Sequence, residues 1–201
     1  MKKHTGTLPL VAALCAVFAT PALSLDIRPE DQGRLGLYHE SLGLALGQAL
    51  NGGDPEDVRL LTHALRGQAA PADEATLEGE WACRTIKMGK VAPLIVYQPF
   101  NCTVTRDSDG TLRLTKDGGS QLKAGRIQSI GGQLIYLGTS YVDGTEPVAY
   151  DDLPQQTILD ENPEQILPDV AVVEQPGPDH VRLMFPSPWL ESDFDILDMV
   201  R

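Results

Sequence analysis

Side chains able to do chemistry are few and scattered along this sequence. Ser120 sits in Gly118-Gly119-Ser120-Gln121, where glycines let backbone N–H groups face an anion or a substrate oxygen and the hydroxyl is a candidate nucleophile. Glu191, Asp193, Asp195 and Asp198 crowd the tail, the raw material of a general acid–base pair, although their spacing in sequence does not set their separation in space. Three histidines, His39, His63 and His180, follow residue 24, and neither an H-E-x-x-H nor a G-x-S-x-G pattern occurs. Asp107-x-Asp109-Gly110 opens like a calcium loop, yet the twelfth position, where a bidentate Glu must close it, is Gly118. It is read as a turn. The plainer readings weigh more: the glycines around Ser120 bend the chain between strands, and the terminal carboxylates line a solvated edge. No catalytic set, metal site or cofactor is therefore expected. If a ligand enters, its polar anchors are expected to be Arg84, Gln121 and Tyr136.

These residues need a scaffold, and the chain's ends say where it is built. Met1-Lys2-Lys3-His4, an apolar run from Leu8 to Phe18, and small residues at Ala22 and Ser24 have the form of a secretory signal peptide over residues 1–24. The run is shorter than the roughly 20 residues a membrane span needs. A lipoprotein reading, with Cys15 after Ala12-Ala13-Leu14, fits less well because Leu14 is bulky before a lipidated cysteine. The expected destination is the periplasm. Loss of the leader removes Lys2, Lys3 and no acid, so 14 basic side chains face 28 acidic ones, a net of −14. Such a surface repels phosphate backbones and anionic lipid, so nucleic acid is not an expected partner. Residues 143–201 carry −12 of that charge, a solvated face or a dock for a basic partner. Cys83 and Cys102, 19 residues apart, read as a structural disulfide in an oxidising compartment.

Leu35, Leu42, Leu46, Ala49 and Leu50 recur at helical spacing across residues 30–50, weakened by Gly33, Gly36, Gly43 and Gly47. Asn51-Gly52-Gly53 ends that helix, and Asp54-Pro55-Glu56-Asp57 starts a second, with an N-cap acceptor, proline at the first position and acids near the positive end of the dipole. Residues 25–75 thus form a helical hairpin and linker. From residue 76 to 201 the period changes to short β runs separated by turns such as Asp107-Ser108-Asp109-Gly110 and Gly131-Gly132. The fold class expected is mainly β (α+β), an N-terminal two-helix hairpin on an antiparallel β-barrel or sandwich with one disulfide. In residues 94–104 the even positions should share one face. Residues 151–168 form a long surface loop, and the tail fits a final amphipathic strand through Phe194, Ile196 and Val200 or a short helix through Leu190, Phe194 and Leu197.

Gly79-x-Trp81 on a first strand resembles the opening of lipocalins, although about 126 residues from Thr76 are few for one, and Trp81 beside Cys83 reads as a core plug. A wider pattern covers nearly the whole mature chain. Pro29-Glu30-Asp31, Cys83-Arg84-x-x-Lys87-x-Gly89, Tyr97-x-x-Phe100-x-Cys102, Gly119-Ser120-Gln121, Tyr136-Leu137-Gly138-Thr139, Arg182-Leu183-x-x-Pro186-x-Pro188 and Glu191-Ser192-x-x-Asp195 together resemble the proteobacterial family domain of unknown function 4893. That pattern places an arginine after Gly-Ser-Gln, where this chain has Leu122 and then Lys123. The resemblance implies an exported protein with paired cysteines and no established activity. Expected function is a non-catalytic periplasmic binding or interaction module, a monomer that meets a small molecule or an envelope protein. Its rivals are an envelope hydrolase using Glu191, Asp193 or Asp195, or Ser120; a protease inhibitor; and a structural envelope protein. A charged Arg84 beside the disulfide is expected to be paired.

Overall fold

The computed structural model describes residues 27–162 and 165–201; the expected leader and Cys15 lie outside them. Four helices come first: α1 (Pro29–Gly36), α2 (Tyr38–Gly52), α3 (Pro55–Ala64) and the single turn α4 (Glu74–Leu77). Nine strands follow: β1 (Gly79–Gly89), β2 (Ala92–Val96), β3 (Phe100–Arg106), β4 (Leu112–Lys116), β5 (Gln121–Ile130), β6 (Gln133–Val142), β7 (Leu167–Gly177), β8 (His180–Pro186) and β9 (Phe194–Val200). The strands from β3 to β9 pair antiparallel with their chain neighbours, and β1 pairs with both β3 and β9. Eight strands therefore close an up-and-down barrel, while β2 lies beside β3 along the same flank of β1.

Strand alternation sorts the apolar residues into two cores. Trp81, Cys83, Val104, Leu114, Tyr136, Val173, Leu183, Phe185 and Leu197 fill the interior. Ile86, Met88, Leu94, Met184, Phe194 and Ile196 lie on the outer wall, where Ala45, Ala49, Leu61 and Ala64 of the helices cover them. Small residues on α2 let it approach β1 and β2 closely, and α1 rests on β7. The disulfide joins Cys83 on β1 to Cys102 on β3. At the same end Arg201 stacks on Trp81, 3.7 Å from the ring centre, and donates to the Glu78 carbonyl at 2.6 Å.

Most local turn and cap signals fold as their residues predict. Asp54 caps α3, its Oδ1 accepting from the Glu56 N–H at 2.9 Å. Gly131 and Gly132 take φ of 61° and 83°, the pair of positive values a tight hairpin between β5 and β6 requires. Three expectations change. The helix over residues 30–50 is broken at Leu37, which donates to both Gly33 and Arg34 carbonyls and turns α2 away from α1. Of the two readings of the tail the strand holds, but it is no solvated edge: β9 is buried and closes the barrel between β8 and β1. Finally, the even positions of residues 94–104 do not share a face. Leu94 pairs with Met88 on the outer wall, whereas Cys102 pairs with Trp81 inside. Tyr97-Gln98-Pro99 holds one extra residue between β2 and β3, and a one-residue slip exchanges faces.

The buried acid of the Pro29-Glu30-Asp31 segment has a structural task. Asp31 receives Arg34 at 2.9 Å and the Tyr150 hydroxyl at 2.7 Å, and Arg28 lies 3.4 Å away. This network staples α1 to the loop after β6, and Arg34 reaches on to the Pro168 carbonyl at the start of β7.

Candidate functional site

The interior positions of the barrel do not stay apolar along its length. On β1 the phase of Trp81 and Cys83 continues to Thr85 and Lys87; on β4 that of Leu112 and Leu114 continues to Lys116; on β9 Leu197 and Met199 are preceded by Asp195. Lys123 on β5, Ser140 on β6 and Asp169 on β7 fall in the same layer, because they occupy neighbouring register positions. One end of the barrel is thus plugged by Trp81 and the disulfide. The other is ringed by three buried lysines and two buried aspartates.

The ring is partly self-neutralised. Lys123 Nζ is bonded to Asp169 and, at 2.7 Å, to Ser140 Oγ, which donates onward to the same carboxylate. Lys87 Nζ donates to Glu191 Oε2 at 2.5 Å and to Gln121 Oε1 at 2.7 Å. Ser192 Oγ donates to Asp195 Oδ1 at 2.5 Å. Lys116 differs: its Nζ donates to the carbonyls of Gly118 and Gln121 and sits 4.9 Å from the Phe100 ring centre, with no carboxylate bound to it among the described residues. Burial, then the charge of Lys123, brings its ammonium down to about 8; Asp117 pulls the other way, and Lys87 adds a smaller push downward. Burial pushes Asp195 up to about 6, although Lys87 and the Ser192 hydroxyl favour its charged form. Burial opposes ionisation of Asp169 too, but Lys123 and Arg34 outweigh it and hold that carboxyl below its usual range.

A cavity of about 280 Å³ opens between the β2–β3 interruption and the turn joining β4 to β5. Its polar wall is Lys87, Lys116, Ser120, Gln121 and Glu191; Tyr97, Phe100 and Val142 supply the apolar wall. The segment from Ser187 to Asp193 straps the barrel end beside it. Val91 N–H donates to the Glu191 carbonyl at 3.1 Å, Asp193 N–H to Met88 at 2.9 Å, and Arg34 Nε to Ser187 at 3.0 Å. Ser187 and Glu191 both sit at positive φ, 46° and 64°, a conformation costly for residues with a Cβ.

The residues singled out in the sequence scatter around this site. Gln121 and Ser120 line the cavity, as does Glu191; Asp195 lies in the charged ring beneath. Asp193 points elsewhere, accepting from Gln48 of α2 at 2.7 Å. Tyr136 is fully buried in the barrel and lines no part of the cavity, with its hydroxyl pressed over Gly138. Arg84 is on the outer wall, because alternation sends it opposite Cys83. It carries no ion pair among the described residues, its Nε has no hydrogen-bond partner, and Asp198 across from it accepts from His180 at 2.7 Å instead. The three lysines were missed, although the signal was present: each continues an inward apolar phase.

A closed antiparallel barrel clasped by helices and open at one charged rim defines the architecture. The sequence model of the family described as domain of unknown function, DUF4893, matches residues 25–199, and the chain belongs to that family. No curated protein and no solved structure matches it. Among the described residues no helix is long and apolar enough to cross a membrane, and no cluster of three or more metal-ligating side chains occurs.

Proposed function

We propose that this is an exported, non-catalytic binding protein of the periplasm that takes a small molecule at the barrel mouth. One observation carries the reading: in a barrel whose interior is otherwise filled by side chains, a cavity of about 280 Å³ is kept at the end where Lys87, Lys116, Ser120 and Gln121 converge. The signal-like leader supports export, and the Cys83–Cys102 disulfide supports an oxidising compartment. Ser120 and Glu191 share the cavity, which favours the hydrolase reading as far as placement goes. It gains nothing further, because Glu191 is bound to Lys87 and none of the cavity-lining residues is a histidine that would serve Ser120 as a base.

Thermal-shift screening of the oxidised protein against chemically varied small molecules tests the proposal. A ligand present at about 100 times its Kd adds about 2.7 kcal/mol and raises the melting temperature by several degrees. Gln121→Ala should reduce that shift. A flat response across acidic, neutral and basic compounds alike counts against a binding protein.

A further inference from the structure

We infer that the cavity at the barrel mouth receives an oxyanion, the carboxylate, phosphate or sulfonate of a small molecule, on Lys116 and Lys87, and that Glu191 occupies part of that place in the unliganded protein. This rests on the binding reading above and names its ligand class.

The charges of the mouth are the first ground. Lys123 is committed to Asp169, and Lys87 to Glu191 with Asp195 nearby. Lys116, 3 % exposed, has two carbonyls and an aromatic face, and among the described residues no carboxylate in bonding contact. Withdrawing an ammonium from water is unfavourable unless an anion accompanies it, and among the described residues Asp117 acts on Lys116 only through its charge, without bonding to it. Nothing in the barrel's closure requires a lysine there, since Leu112 and Leu114 supply the inward apolar contacts of β4.

Convergence is the second ground. Two ammonium groups, the Ser120 hydroxyl and the Gln121 amide meet at one cavity, a donor set suited to the several lone pairs of an oxyanion. Tyr97, Phe100 and Val142 offer an apolar seat for the rest of the molecule. A carboxylate already demonstrates the fit. Glu191 Oε2 sits 2.5 Å from Lys87 Nζ, yet its side chain is half exposed and hangs from a strap residue at a φ of 64°. Among the described residues it is the carboxylate that lines the cavity, and its exposure leaves it room to swing out. The acidic exterior opposes an anion at long range, but at physiological salt such fields fade over about 8 Å, so contacts inside the cavity decide affinity.

The charge of Lys116 also sets a pH dependence. The groups facing it are Lys87 on β1, Lys123 on β5 and its neighbour Asp117; beyond Lys87 lie Asp195 and Glu191, and beyond Lys123 lies Asp169. Deprotonation near pH 8 removes the anion's partner, so affinity should fall as the pH rises from 7 to 9.5. In Lys116→Arg, whose guanidinium keeps its charge, that fall should be absent.

Two fluorescent probes with one aromatic body test the inference: 1-anilinonaphthalene-8-sulfonate, which is anionic, and N-phenyl-1-naphthylamine, which is neutral. With the oxidised protein at fixed ionic strength, the sulfonate should bind at least about tenfold tighter than the neutral probe and be displaced by inorganic phosphate. Lys116→Met should weaken it by about tenfold or more, and Glu191→Gln should strengthen it, since a competing carboxylate is removed. Equal binding of both probes, unchanged in Lys116→Met, overturns the anion class while leaving a binding protein. No binding of either overturns both. If Lys116→Met fails to fold, the Glu191→Gln titration and the Lys116→Arg pH profile decide: loss of affinity in the first, or a flat wild-type profile in the second, sinks the inference.

Discussion

Ionising Asp195 is uphill in the folded barrel, and its sign differs from the carboxylates that usually stabilise proteins. Its folded pKa of about 6 lies above the 3.8 of a free side chain because the carboxyl is buried. The native state therefore binds the proton more tightly than the unfolded chain does. Stability from this group is complete below pH 4 and is lost as the pH rises through 6. Asp195→Asn removes that loss and keeps an acceptor for Ser192. Between pH 4 and pH 7 the urea-derived stability gap should move by roughly 2 kcal/mol in the variant's favour; a gap constant with pH would mean that Lys87 fully compensates the charge. Steric demand speaks at Gly138. A Cβ there would stand 2.2 Å from the Tyr136 hydroxyl and 2.5 Å from the Ala124 carbonyl. Gly138→Ala should cost about 3 kcal/mol, and adding Tyr136→Phe should not restore it, because the backbone clash persists. A double variant that melts with the wild type would show that the Tyr136 hydroxyl alone forbids the methyl.

Between β2 and β3 the extra residue in Tyr97-Gln98-Pro99 performs two tasks at once: it turns Leu94 and Val96 out to the helices, and it opens the wall where the cavity lies. Deleting Gln98 removes the slip, so β2 must either present Leu94 to the mouth or surrender its pairing with β1. The expected loss is about 2–4 kcal/mol in urea unfolding, on the scale of unseating a packed leucine. Deleting Ser108 from the exposed Asp107–Gly110 turn should cost clearly less. Equal costs would deny the bulge its role. The contrast also shows what was legible beforehand. Asp54-Pro55, Gly131-Gly132 and Asp107-Ser108-Asp109-Gly110 declare themselves because each turn or cap is made by residues adjacent in sequence. The change of face at Gln98 is invisible to a period-2 count, since the apolar residues on both sides still fall on even numbers. Lys87, Lys116 and Lys123 were legible one by one as lysines in an inward phase. Their meeting was not, because it depends on how strands far apart in sequence close into a ring.

Closure of that ring governs what the disulfide contributes to the whole molecule. Cys83 and Cys102 lie on strands already hydrogen-bonded to each other, 19 positions apart in sequence, so the bond mainly restricts the unfolded chain. By the chain-entropy relation a loop of that size is worth about 3 kcal/mol. Two further sources of stability do not depend on it: the filled interior, and the outer wall under α2 and α3. Reduction should accordingly lower the unfolding free energy by about 3 kcal/mol and leave the far-UV circular dichroism of the native protein intact at 25 °C. Trp81 provides a local reporter, since it packs beside the bond under Arg201. Its fluorescence should change on reduction if the barrel's closed end loosens while the sheet persists. Outright unfolding in dithiothreitol would mean that the two cores together do not hold the barrel. The protein would then depend on an oxidising compartment for its fold, and the charged mouth would exist only where the disulfide forms.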